Sequence, residues 1–119
     1  MKKTLVFGAS LKSNRYSNIA IHRLVSAGLE TVAFGIKSGK VGEVQVSTNL
    51  ADYQNIHTIT LYLNPQRQQQ YYEDIIHLRP SRVIFNPGTE NPEFYERLTA
   101  NGIHVEVACT LVLLATGQY

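Results

Sequence analysis

The segment with the most chemical content is Gly8-Ala9-Ser10. It follows a short apolar run, Thr4 to Phe7, and precedes a stretch in which Ile21, Leu24 and Val25 recur at helical spacing. A glycine at such a junction lets the backbone turn tightly. A helix N-terminus beyond it presents unpaired N–H groups and positive partial charge, which suit a phosphate. Lys12 and Arg15 lie in the same segment, and a guanidinium can hold two phosphate oxygens at once. The plainer alternative is an ordinary strand-to-helix turn with solvated basic residues. The dinucleotide pattern G-x-G-x-x-G is absent, since Ser10 and Ser13 stand where its second and third glycines belong. The second apolar run ends in Phe34-Gly35-Ile36, with no acid to accept a ribose diol, and Lys37 follows. The pattern therefore favours a phosphorylated adenosine over NAD. NADP remains an alternative, because Lys37 can meet a 2′-phosphate.

Other reactive side chains carry less. Cys109 follows the last apolar run and has two readings: a thiol reactive toward another thiol, or a buried small hydrophobe. No basic residue stands beside it in sequence, which favours the second. His22, His57, His77 and His104 show no metal-ligand spacing. His22 and His77 are expected on helix surfaces. Ser10 and Ser17 have no visible base, and Glu73-Asp74 continue a polar helix face begun by Gln66 to Gln70. Tyr71-Tyr72 reads as core plus edge. No catalytic residue is expected, so the chain reads as a binder rather than an enzyme.

The elements that position these residues alternate between strand and helix. Strands are expected at Thr4–Phe7, Thr31–Phe34, Thr58–Leu63, Arg82–Phe85 and Ile103–Ala108. Helices are expected from Ser17 or Asn18 to Gly28, from Gln66 to Leu78, and from Asn91, with Pro92 at its first position, to Gly102. Ile36 to Gly42 reads as a loop, Val44 to Val46 as a short extension, and Leu50 to Tyr53 as one helical turn. The tail after Cys109 reads as a short helix or strand. Such alternation implies an α/β fold of three layers, a Rossmann-like, doubly wound parallel sheet of about five strands, in the expected order 3-2-1-4-5. Ligands of such sheets bind at the carboxyl ends of the strands, at the switch point, here expected between the first and fourth strands. The segments that should converge there are Gly8–Arg15, Gly35–Lys40, Leu63–Pro65 and Asn86–Gly88.

Composition bounds the rest. A chain of 119 residues reads as one domain over residues 1–119, at about 100–200 residues per domain. With 44% hydrophobic and 17% charged residues it is not a disordered composition. One cysteine excludes an internal disulfide framework. A net charge of +2 gives no basis for nucleic-acid binding. The opening Met1-Lys2-Lys3 before an apolar run imitates a signal peptide, but the run is short and Lys12 and Arg15 follow at once. Val107 to Ala115 is about half of the ~20 residues needed to span a bilayer. A soluble, cytoplasmic protein without membrane or nucleic-acid partners is the expectation.

Taken together, these motifs resemble the Rossmann-type coenzyme A-binding domains, found as small free-standing proteins and at the N-terminus of succinyl-CoA synthetase α subunits. Val6-Phe7-Gly8-Ala9-Ser10 is similar to the family's strand and turn, and Arg15-Tyr16-Ser17-Asn18 to its Arg-x-Ser segment. Phe34 to Lys37 falls where relatives carry Val-Asn-Pro-Lys. Gly42 and Leu50-Ala51-Asp52 resemble its Gly and Ser-Leu-Ala-Asp stretch. Ile84-Phe85-Asn86-Pro87-Gly88 resembles its Trp-Leu-Gln-x-Gly stretch, and Val107-Ala108-Cys109 its Asp-Arg-Cys ending. The resemblance implies coenzyme A or an acyl-CoA as ligand. It implies phosphate contacts from Gly8, Ala9, Ser10, Lys12, Arg15 and Ser17. Phe34, Gly35, Leu63, Asn64 and Pro65 would flank the adenine, and Lys37 would meet the 3′-phosphate. Asn86, Pro87 and Gly88 would border the pantetheine, with Cys109 as a thiol contact. The chain departs from the family at Gly35-Ile36 for Asn-Pro, Leu63-Asn64 for an Arg-rich stretch, and Ala108 for Arg. These departures keep open a member that has lost its ligand and acts as an interaction module.

Overall fold

The computed structural model describes residues 2–119; residue 1 of the expected domain lies outside them. Four apolar runs form strands: β1 (Thr4–Phe7), β2 (Thr31–Phe34) and β6 (Arg82–Phe85) with the expected bounds, and β5 (Thr58–Leu61), which ends two residues before the expected Leu63. The fifth, β7 (His104–Val107), lies at an edge. Two further strands occupy the segment expected to be a loop and an extension: β3 (Gly39–Val41) and β4 (Val44–Ser47) form an antiparallel hairpin. The sheet thus has seven strands, not about five, in the order β3-β4-β2-β1-β5-β6-β7.

The expected strand order is corrected as well. The Thr58 strand was to lie outside the Thr31 strand, yet β5 pairs directly with β1, four residues to four. The place outside β2 is taken by β4, which runs parallel to it. Val44 and Val46 are buried on the sheet, and this short outer strand turns the chain back across β1. The switch point therefore lies between β1 and β5.

Alternation along the strands sorts side chains to two faces. Leu5, Phe7, Phe34, Ile59, Leu61, Val83 and Phe85 form one core with Tyr72 and Ile75 of α3 (Tyr72–Leu78) and Phe94 and Leu98 of α4 (Pro92–Ala100). Val6, Ala33 and Val46 form the other with Ile21 and Leu24 of α1 (Tyr16–Ser26), and Leu114 of α5 (Thr110–Ala115) packs against it. The three layers are present.

Three helical expectations change in detail. Helix α1 begins at Tyr16 with Arg15 as its cap, so Ser17 lies inside the first turn and caps nothing. The helix expected over Gln66 to Leu78 is interrupted: α2 (Pro65–Gln68) leads into a 3-10 turn, Gln69–Tyr71, and then α3. Gln68 belongs to no solvated face, being fully buried. Its Nε2 donates to the Leu63 and Thr89 carbonyls, both at 2.8 Å, and its Oε1 accepts from Asn91 at 2.8 Å. Asn91 caps α4 by accepting from the Phe94 amide, with Pro92 in the first turn as expected. Among the described residues, no helix is long and apolar enough to cross a membrane.

Gly35 is set by contact rather than by an unusual dihedral angle. A Cβ there would run into the Ala9 carbonyl oxygen and sit 3.1 Å from Val46 Cγ1. Ala9 has little room to yield, because its amide is bonded to Phe34. Gly35→Ala is therefore expected to destabilise the fold by about 1–3 kcal/mol, the usual range for overpacking. Urea unfolding would show this as a lowered midpoint with unchanged slope.

Candidate functional site

The turn after β1 is built around one carbonyl. The amides of Gly8 and Ala9 both donate to the Phe34 oxygen, at 2.9 and 2.8 Å. Gly8 holds φ +93, the left-handed region, and a Cβ there would lie 2.9 Å from Leu63 Cδ2. The Ser10 amide donates to Ser17 Oγ at 3.1 Å, and Asn18 Nδ2 donates to the Ser10 carbonyl at 3.0 Å. Ser10 Oγ in turn accepts from the Lys12 amide at 3.2 Å. The amides of Gly8, Ala9 and Ser10 thus shape the turn from within. Ser17 and Asn18 are buried and tie that turn to α1.

Beyond the turn, Lys12 and Arg15 are exposed at the α1 N-terminus, where helix geometry leaves the first amides without intrahelical acceptors. Leu11 packs against the second basic segment: a Cβ on Gly39 would lie 2.7 Å from Leu11 Cδ1. The loop carrying Lys12 and Arg15 therefore adjoins the hairpin that follows Lys37 and carries Lys40, both exposed. Lys12, Arg15 and Lys37 thus form an exposed cationic rim near the carboxyl ends of β1 and β2, whereas Lys40, between the α1-facing Gly39 and Val41, points to the opposite face of the hairpin by alternation.

On the other side of α1 lies an apolar cleft of about 210 Å³, lined by Tyr16, Tyr62, Asn86, Pro87 and Cys109. It sits at the ends of β5, β6 and β7. Asn86 is 2% exposed, and its side chain is fully engaged. Nδ2 donates to Thr60 Oγ1 at 2.8 Å and the Leu61 carbonyl at 3.0 Å, and Oδ1 accepts from the Thr110 amide at 2.9 Å. This carboxamide joins two strands to the start of α5 and forms a fixed wall. Cys109 is partly exposed in the cleft, which corrects the buried-hydrophobe reading. Tyr62 is half-buried, and desolvation pushes its phenol up to about 12, so it stays neutral.

The remaining expected residues divide. Leu63 is half-buried over Gly8, and Pro65 opens α2. Asn64 caps that helix by accepting from the Arg67 amide at 2.9 Å. Pro87 and Gly88 are exposed, and the Gly88 amide donates to Glu90 at 2.8 Å. Phe34 is not at the rim. It is 6% exposed and packed between Phe7 and Tyr71, with ring centroids 4.8 and 5.5 Å away. Its carbonyl, not its ring, serves the site.

Tyr16 and Tyr62 were missed by sequence reasoning. Tyr62 falls just past the end of β5 in a segment expected as strand, and alternation from Leu61 places it on the α1 and α5 side of the sheet. Tyr16 is 72% exposed, and its position between Arg15 and the buried Ser17 was the available signal. A larger cleft of about 540 Å³, lined by residues such as His77, Arg79 and Asn101, opens at the amino ends of β6 and β7. It lies at the opposite end of the strands from the switch point.

Comparison with known proteins finds the same fold. A solved structure described only as an uncharacterized protein is 45% identical, covers 100% of this chain and 98% of its own, and superposes with a TM-score of 0.96. A hypothetical protein from Pyrococcus horikoshii OT3 is 25% identical over 93% of this chain and 80% of its own, with a TM-score of 0.83. A Thermus thermophilus protein at 20% identity, covering 99% of this chain and 91% of its own with a TM-score of 0.86, shares the fold. No curated protein matches. The sequence pattern of the CoA binding domain matches residues 2–115, nearly the whole chain, and the protein belongs to that family.

Proposed function

We propose that the protein binds coenzyme A or an acyl-CoA across the carboxyl ends of β1, β2, β5 and β6. The observation that carries this reading is the position of Arg15 and Tyr16. These adjacent residues at the α1 N-terminus belong to the cationic rim and to the apolar cleft, respectively. A ligand with phosphates at one end and a thiol arm at the other spans such a boundary. At about 210 Å³ the cleft is below the roughly 300–1,000 Å³ of whole-ligand pockets, so it suits the end of an arm. In this reading Lys12 and Arg15 neutralise the pyrophosphate beside the free amides of α1. Leu63 and Pro65 flank the adenine, Lys37 meets the 3′-phosphate, and Pro87 and Cys109 border the thiol end. A reducing cytoplasmic setting would keep both thiols free.

Titration calorimetry tests the reading directly. Coenzyme A is expected to bind with a Kd on the order of micromolar, ahead of NADP. Arg15→Ala should weaken binding about tenfold or more, as expected for a lost hydrogen bond to a charged group. Unchanged affinity in that variant would remove Arg15 from the phosphate site.

Lys37 should discriminate through the 3′-phosphate. Coenzyme A is expected to bind more tightly than dephospho-CoA at low salt. The advantage should shrink in Lys37→Ala and at high ionic strength, because an exposed lysine acts as a screened point charge. Equal affinities for the two ligands at low salt would refute this role.

We further propose that the protein performs no acyl transfer or ligation alone. No nucleophile and base are paired at the rim or in the cleft. Purified protein incubated with acyl-CoA and nucleotide should give no turnover by chromatography. Turnover abolished by a single substitution would overturn the proposal.

A further inference from the structure

The two edges of the sheet differ in a way the ligand site does not explain. Strand β3 at one edge is three residues long and carries exposed Lys40 at its centre. An edge lysine discourages pairing with another chain. The other edge, β7, reads His104-Val105-Glu106-Val107, with neither lysine nor proline. Val107 is 56% exposed there, and Val112 on the following helix is 57% exposed. Among the described residues, no strand lies beyond β7.

The hydrogen-bonding sense of β7 is fixed by its inner neighbour. The amides of His104 and Ala108 donate inward, to the Ser81 and Phe85 carbonyls at 3.0 and 3.2 Å. By alternation, the N–H and C=O groups of Val105 and Val107 point outward. An antiparallel partner must set outward residues opposite outward residues, so a symmetric self-pairing can centre only on a residue, not between two. Centring on Glu106 places two carboxylates face to face, centring on His104 pairs imidazole with imidazole, and centring on Val107 sets Glu106 opposite Ala108, with no partner for the carboxylate. Centring on Val105 sets each His104 opposite Glu106 of the second copy. These are non-hydrogen-bonded pairs, where facing side chains approach most closely.

We propose that β7 pairs antiparallel with β7 of a second copy of this chain, about a twofold axis through Val105. The two Val105 residues exchange backbone hydrogen bonds, and two crossed His104–Glu106 contacts flank them. Glu106 has capacity for this. Its Oε1 accepts from Arg82 at 3.0 Å, which holds the carboxylate in place, while its side chain remains 28% exposed. His104 is exposed, and an imidazole N–H can donate to the facing carboxylate. The proposal is independent of the ligand reading.

Sedimentation equilibrium of the full chain, from micromolar to submillimolar concentration, tests it. A monomer–dimer equilibrium is expected, and a chain that remains monomeric throughout overturns the proposal. His104→Asp, which faces carboxylate with carboxylate twice, should weaken the dimer by roughly tenfold. His104→Lys should preserve or tighten it. Both substitutions are at an exposed position, and unchanged thermal unfolding at low concentration would confirm that the monomer fold is intact. Equal dimerisation by the Asp variant and the wild type overturns the β7 register.

Discussion

The carbonyl oxygen of Phe34 accepts two amides, and the turn at the proposed site depends on that single acceptor. It holds Gly8 and Ala9 at the end of β1 and so decides where the chain leaves the sheet. Ala9 is thereby pressed against Gly35, which leaves no room for a side chain at the end of β2. Gly8, held left-handed beneath Leu63, brings the loop after β5 over the same point. Three strand ends are thus fixed relative to one another by one oxygen and two missing Cβ atoms. The basic residues around them need only be long enough to reach.

Asn86 and Gln68 play the corresponding part for the other loops. Each carboxamide is buried with both ends engaged, Asn86 to β5 and α5, Gln68 to the loops after β5 and β6. A fully paired buried amide is tolerated, whereas a half-paired one leaves a costly orphan. These residues therefore fix geometry without being free for a ligand. Thr60, Thr110 and the neutral Tyr62 phenol continue the polar lining behind an otherwise apolar cleft.

Much of this was legible in the sequence, and the rest was hidden for identifiable reasons. The buried strands announced themselves as apolar runs ended by Gly8, Gly35 or Asn86, and α4 by its Asn91-Pro92 start. The hairpin of β3 and β4 did not, because Gly39, Lys40, Gly42 and Gln45 dilute a pattern too short for period-two alternation to stand out. The strand order failed with it, since counting β4 as a strand moves the switch point to β1 and β5. At the proposed site, the exposed basic residues are legible because charge is visible in one dimension. The inward turning of the Phe34 ring and the saturation of Asn86 are not. Both depend on partners distant in sequence, Tyr71 for the first and Thr110 for the second.

The hairpin is also the least securely attached part of the sheet. Strand β4 meets β2 through only two registered residue pairs, Ala33 with Val46 and Phe34 with Ser47, whereas β1 meets each of its neighbours through four. Amide protection should follow that difference, because cooperative opening units are set by such pairing. With Val41, Val44 and Val46 buried against α1, the corner bearing Lys37 and Lys40 should open less readily than a free loop yet at lower free energy than the β2-β1-β5-β6 centre. Its opening would be a local event within the native state. A molecule touching both that corner and the α1 N-terminus would slow isotope exchange in one element without altering the rest.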